Sequence, residues 1–271
     1  MATTATVRGA LAQRAAVAGV ERAIRSAVRE PRSRYLLEFA EAFRSYEARL
    51  TEAEVFSRVS AADVVLIADY HSLATCQEFT TSLLKKLTAR DRRANVLGLE
   101  AVYSASQPVL DEWLCGDMKV ADLRQRLHFA RDWGYSWEPY AELFSAAREC
   151  DAVWGLDSEP RFDLRRVRAR DRHMAARIQE MRRDHSSARI VAFVGESHLA
   201  PGHLPRLLQD ALPGERVLTV LQNVDSLYWQ AAEGNALPGS VSISEDCLCV
   251  FNASPLEKYE SYQEYLERWR E

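Results

Sequence analysis

Four apolar runs in this chain each end in a residue that can carry charge. Val64-Val65-Leu66-Ile67 leads into Asp69-Tyr70-His71, and Val96-Leu97-Gly98-Leu99 leads into Glu100. Val153-Trp154-Gly155-Leu156 leads into Asp157, and Ile190-Val191-Ala192-Phe193-Val194 into Gly195-Glu196-Ser197-His198. Imidazole nitrogen with carboxylate oxygen can hold a divalent metal such as zinc, iron or manganese. The same groups can run general acid–base chemistry, with His71 or His198 as base and a carboxylate orienting it. Any one of the acids, Asp69 or Asp157 for instance, could simply cap the helix that follows. As a set, they are expected to share the crevice that lies beyond the carboxyl ends of strands in an open α/β sheet. That expectation requires the four strands to be neighbours, which the sequence does not state.

The elements that would position these groups follow from periodicity. The runs are continuously apolar, as strands covered on both faces are, and helical patterns lie between them. Ser72 can cap a helix carrying Phe79, Leu83, Leu84 and Leu87. Helical material is expected around 106–114 and 120–130, from the aromatic segment beginning at Trp133 through Cys150, over 163–183, over 203–211 and over Asp225–Ala232. Further strands are expected at Val217–Leu221 and Cys247–Phe251, with Gly234–Ser244 an irregular loop or hairpin, and a last helix carries Tyr262, Leu266 and Trp269 on one stripe. Strand–helix alternation predicts an α/β fold: a mainly parallel sheet with helices on both faces. Before it, Val17, Ile24 and Val28 mark one helix, and Leu36, Phe39, Phe43, Tyr46 and Leu50 recur at helical spacing as a second. The chain thus divides into an N-terminal helical extension, 1–60, and an α/β domain, 61–271.

Composition narrows the partners. A net charge of −4 gives no reason to expect nucleic acid or an anionic membrane surface. No apolar run is long enough to span a bilayer. The 5 scattered cysteines form no disulfide framework, so a reducing, cytoplasmic compartment is expected. Of the remaining histidines, His128 and His185 read as surface residues, and His203 could reach the rim from a helix start. Trp133, Trp137 and Tyr140 could cover a planar ligand or belong to the core.

At these residues the sequence resembles the ChaN-like group of the Tiki/TraB/erythromycin-esterase superfamily. The resemblance rests on Val65-Leu66-Ile67-Ala68-Asp69-Tyr70-His71, Gly98-Leu99-Glu100, Arg170-Asp171-Arg172-His173-Met174-Ala175 and Phe193-Val194-Gly195-Glu196-Ser197-His198, in that order. The family pattern is a Gly-x-x-His after the first strand, a strand-end Glu, an Arg-Asp-x-x-Met-Ala helix and a second Gly-x-x-His. Ala68 stands where the family has Gly. Lipoprotein members carry a lipid-attachment Cys, and none stands near this N-terminus, which turns the expectation away from a periplasmic haem-uptake role.

The resemblance implies either an enzyme or a binding module. As a hydrolase, the chain would attack an amide or ester carbonyl of a small-molecule or peptide substrate. His71, Glu100 and His198 would hold a divalent metal or a water, Glu196 would be general base or fourth ligand, and Asp157 would orient a histidine. Arg170 would bind an anionic or carbonyl part of the substrate, near Asp69, Tyr70 and Trp137. As a ChaN-type protein it would bind haem, often between two subunits, so a homodimer is expected with that reading. A third reading, a non-haem iron oxygenase, uses the same two histidines and one carboxylate as an iron triad.

Overall fold

The structure, a computed structural model, describes residues 3–27, 34–116, 118–158, 167–233 and 237–268. In chain order the elements are α1 (Thr3–Ala27), α2 (Arg34–Ala42), β1 (Ala48–Leu50), α3 (Glu52–Ala61), β2 (Val64–Asp69), α4 (Ala74–Arg90) and β3 (Asn95–Tyr103). Next come α5 (Gln107–Cys115), α6 (Val120–Arg126), α7 (Phe129–Asp132), α8 (Trp137–Ala147), β4 (Ala152–Asp157), α9 (Val167–Asp184) and β5 (Arg189–Gly195). The chain continues through α10 (Leu204–Ala211), β6 (Val217–Gln222), α11 (Asp225–Ala232), β7 (Ser240–Ser244), β8 (Cys247–Val250) and α12 (Pro255–Arg268).

One 8-stranded sheet has the order β1-β7-β8-β6-β2-β5-β3-β4. The six strands from β8 to β4 run parallel, and β7 and β1 close one edge antiparallel. Strands β2, β5, β3 and β4 are consecutive, so the four charged strand ends do lie side by side. The chain reaches this order by leaving a gap between β2 and β3 that β5 later fills. Such a reversal of strand order is where open α/β sheets place their crevice.

Alternation of side chains along each strand splits the core into two layers. Val65, Ile67, Leu97, Leu99, Val191 and Phe193 pack with Leu84, Trp113, Tyr140 and Phe144 on one face. Val64, Leu66, Ala68, Val96, Ile190, Ala192 and Val194 pack with Phe39, Met174, Ile178 and Leu208 on the other. Gly155 is required by close approach: a Cβ there would fall 2.4 Å from the Tyr103 carbonyl oxygen, backbone that cannot yield.

Several expectations need correction. The helical spacing from Leu36 to Leu50 does not make one helix: α2 ends at Ala42, and Leu50 lies on β1, which pairs with β7 through Leu50 and Ser240. Sheet pairing overrides a periodicity that a short strand happened to satisfy. Ser72 is not the cap of α4; Leu73 occupies that position and no side chain caps the helix. The helix expected from Trp133 begins at Trp137, after the separate turn of α7, with Gly134 left-handed at φ +81° between them. Of the two readings of 234–244, the irregular hairpin is the one seen: β7 pairs antiparallel with β8, with a register shift between Ser242 and Ser244. Val28, Trp269 and 161–166 lie outside the described residues.

Candidate functional site

β2 ends on Asp69, buried, and its carboxylate collects three donors. His71 Nδ1 lies 2.9 Å from Oδ2, Tyr140 Oη donates to Oδ2 at 2.5 Å, and Gln77 Nε2 donates to Oδ1 at 2.5 Å. A carboxylate accepts, so Asp69 puts the hydrogen of His71 on Nδ1. Nε2 of His71 then has no hydrogen bond among the described residues. The ring is held sideways by Trp133 at 4.4 Å and Tyr135 at 5.1 Å between centroids, and keeps 22% of its side chain exposed.

Glu100 leaves the β3 ladder where its pairing shifts register, between Leu99 and Tyr103. Its Oε2 accepts the Gly195 N–H at 2.5 Å; its Oε1 accepts from Arg170 Nη2 at 2.5 Å and lies 3.2 Å from His198 Nε2. Burial alone would raise the Glu100 carboxyl, but His198 and Arg170 outweigh it and hold the group well below the usual carboxylate range. His198 Nδ1 lies 2.5 Å from Asp171 Oδ1. Burial pulls this imidazole down, yet Glu100 and Asp171 push it up to about 9, so it is a cation at neutral pH. Arg170 grips Asp157 with Nε and Nη2, both at 2.8 Å.

The two halves meet at Gly195. A Cβ built there would lie 3.1 Å from Glu100 Oε2 and 3.1 Å from both Nε2 and Cε1 of His71. The missing side chain lets the rim imidazole and the buried carboxylate face one another.

His71, Glu100, His198, Asp157 and Arg170 therefore converge, but in different roles from those expected. Arg170 spends its guanidinium on Asp157 and Glu100, and Asp157 orients that arginine, not a histidine. The carboxylates that orient histidines are Asp69 and Asp171. Glu196 turns to Lys258 Nζ at 3.0 Å; burial raises its carboxyl, and the lysine only partly offsets this. Tyr70 sits under that ammonium, 4.6 Å from the ring, with its phenol pushed up by burial. Trp137 packs on Phe129 and Phe144 in the core, while Trp133 and Tyr135 touch His71.

Tyr140, read as a possible cover or core residue, reaches the site through Asp69, and the residues missed were Gln77, Asp171 and Lys258. Asp171 stood inside the Arg-Asp motif and carried a signal; the others reach the rim only through tertiary packing. His203, expected to approach the rim, is buried with Nδ1 2.9 Å from Asp171 Oδ2.

A divalent metal does not fit the expected His71, Glu100, His198 set. Glu100 Oε1 accepts from Arg170 and faces His198, its Oε2 accepts the Gly195 N–H, and each nitrogen of His198 faces a carboxylate. Among the described residues no group of three His, Cys, Asp or Glu is arranged to hold a metal ion. The Cys247 and Cys249 thiols offer no alternative, since burial pushes both up, Cys249 to about 12. Among the described residues, no helix is long and apolar enough to cross a membrane.

Residues 55–161 match the family described as "Haem-binding uptake, Tiki superfamily, ChaN". No curated protein matches the chain. Among solved structures, "The structure of the type III effector HopBA1" is similar with a TM-score of 0.55 at 12% identity, over 78% of this chain and 98% of that one. "Cofacial heme binding to ChaN of Campylobacter jejuni" aligns with a TM-score of 0.49 at 12% identity, over 64% of this chain and 86% of that one. At such identity the likeness to HopBA1 is one of fold. The match over 55–161 makes that segment similar to the ChaN-like group of the Tiki superfamily.

Proposed function

We propose that the site is a hydrolase centre in which His71 acts as general base on a water that attacks an ester or amide carbonyl. The observation that carries this is the posture of His71. Nδ1 is pinned by Asp69, and Nε2 is left open at the Gly195 step beside Glu100. An imidazole so held takes a proton at Nε2 and later returns it to the leaving group. Asp69, itself fixed by Tyr140 and Gln77, stabilises the imidazolium. Glu100, kept ionised by His198 and Arg170, can orient the water through Oε2. No step needs a metal. The three residues of the iron-triad reading meet the same saturation of Glu100 and His198, so oxygenase chemistry is not proposed.

The substrate is a small molecule or a peptide; the exposed edge of His71 is bordered by Trp133 and Tyr135, which suits an apolar or planar group beside the scissile bond. The purified chain is assayed against a panel of esters and amides with and without chelator. Hydrolysis lost in His71→Ala and Glu100→Gln but unaffected by chelator supports the reading; a folded protein inert on the whole panel defeats it.

The family match favours a second reading, haem binding without catalysis. His71 would be the residue that holds the haem iron, because Tyr135 and Tyr70 are pushed up by burial and resist ionising. Titration with haem checks it: a Soret shift that disappears in His71→Ala supports ligation, and no shift at micromolar protein removes it.

A further inference from the structure

The side chains along one face of α12 mark a path across the crevice. Lys258, buried, donates to Glu196 Oε2 at 3.0 Å and to the Asn223 carbonyl oxygen at 3.3 Å. One turn on, Ser261 Oγ lies 3.2 Å from Ser72 Oγ, and the Tyr262 ring meets Tyr70 edge-on at 6.3 Å between centroids. After another turn Tyr265 stacks on Tyr135, with centroids 4.4 Å apart and planes 18° from parallel. At the end of the helix Arg268 donates to Ser136 Oγ at 2.6 Å. These positions stand three or four apart, so they share one side of the helix. What they touch brackets His71: Tyr70 and Ser72 are its neighbours in the chain, and Tyr135 packs against its ring. His71 therefore lies under the path of α12.

The two halves of α12 are held differently. Pro255 and Lys258 are buried, whereas Tyr262 and Tyr265 are partly buried and Glu264, Glu267 and Arg268 are exposed. α1 packs on the same helix, which favours the closed position. We propose that α12 is a lid over the His71 crevice, and that Tyr265 occupies, on the Tyr135 ring, the seat of a planar group of the substrate. The proposal rests on the hydrolase reading for its purpose. Tyr135 lies 5.1 Å from the His71 ring, so a planar group stacked on Tyr135 brings an attached ester or amide carbonyl beside the open Nε2. A stack at 4.4 Å leaves no room for a third ring between the two tyrosines. The planar group therefore replaces Tyr265, and the outer turns of α12 swing away while Lys258 holds the inner ones. Substrate draws out this open form because the closed form denies it the Tyr135 face.

The test uses the full chain, with each variant checked for folding by circular dichroism. It reads the carbethoxylation of His71 by diethyl pyrocarbonate, located by mass spectrometry, with the exposed His128 as internal reference. Tyr265→Ala and Arg268→Ala are each expected to speed the reaction of His71 about fivefold, the weight of one aromatic pair or one exposed hydrogen bond. Glu264→Ala, on the exposed side of α12, is expected to leave it unchanged. A wild-type rate in either folded lid variant overturns the lid, as does an equal rise in Glu264→Ala. Indole serves as a planar probe. It is expected to protect His71 at about fivefold lower concentration in Tyr265→Ala and about fivefold higher concentration in Tyr135→Leu. Protection at the wild-type concentration in either variant overturns the seat. With esters, KM for a 2-naphthyl ester is expected to fall about fivefold in Tyr265→Ala; an equal fall for an ethyl ester also overturns the seat. If no ester is hydrolysed, the hydrolase reading fails alone, and the reactivity and protection of His71 still decide lid and seat. If Tyr265→Ala fails to fold, Arg268→Ala decides the lid and Tyr135→Leu the seat.

Discussion

The two histidines of this site began with near-identical sequence settings and ended in opposite physical states. His71 keeps 22% of its side chain exposed, holds one carboxylate and leaves one nitrogen open. His198 is buried between Glu100 and Asp171 and carries a proton that burial alone would have removed. The difference separates two kinds of work. A ring that must exchange protons with a substrate stays half-wet and single-partnered. A ring that must stabilise a buried anion is enclosed by anions. Gly195 is the seam between them, since a Cβ there would press on both the His71 ring and Glu100 Oε2.

The comparison can be broken most forcefully on the buried side. Arg170→Met removes the guanidinium from Glu100 and Asp157 at once and strands two buried carboxylates. A loss of about 3–5 kcal/mol is expected in chemical denaturation; a loss under about 1 kcal/mol would mean that the ion-pair cluster is not what holds this rim together.

Next comes pH. Because His198 is raised in the folded protein to about 9, its contribution is complete below its unfolded value, near 6.5, and is lost as pH rises through about 9. The stability difference between wild type and His198→Gln is therefore expected to shrink by roughly 3 kcal/mol between pH 6 and pH 10. A difference independent of pH would mean that His198 is neutral. Glu100 works in the other direction: held below its usual value, it adds stability above about pH 4.5 that is lost on acidification.

On the open side the effects on stability should be smaller and those on reaction larger. Tyr140→Phe deletes one hydrogen bond to the Asp69 carboxylate. It is expected to cost about 1–3 kcal/mol in thermal or denaturant unfolding, because the acceptor is charged and buried. His71→Asn should change stability by less than about 1 kcal/mol while abolishing hydrolysis. Activity surviving this change would show that His71 is not the base. Gly195→Ala sharpens the contrast further: its methyl would press on Glu100 Oε2 and the His71 ring at 3.1 Å, so turnover should fall with stability little changed.

Much of the fold was legible because both-face burial writes continuous apolar runs, and the strands at Val64, Asn95, Val153 and Arg189 were read close to their observed bounds. The edge strand Ala48–Leu50 was not, since three residues carry no period of their own and acquire strand geometry only from β7. At the site, the residue types were legible but their partners were not. Arg170 looked like a ligand for substrate, as an arginine on a charged helix does, until packing aimed it at Asp157 and Glu100. Trp137 and Trp133 are equally aromatic in sequence, and only the left-handed turn at Gly134 and the start of α8 decide which one meets His71.

By itself the amino-acid sequence determined that charged groups would terminate four buried strands, because apolar continuity and its interruption are local properties of the chain. Which strands became neighbours, which histidine kept a free nitrogen and which was enclosed between two carboxylates were decided by tertiary structure alone. Hydrogen bonds such as Gly195 to Glu100 and His203 to Glu38 join residues far apart in the chain, and the dielectric around each exists only once the core has closed.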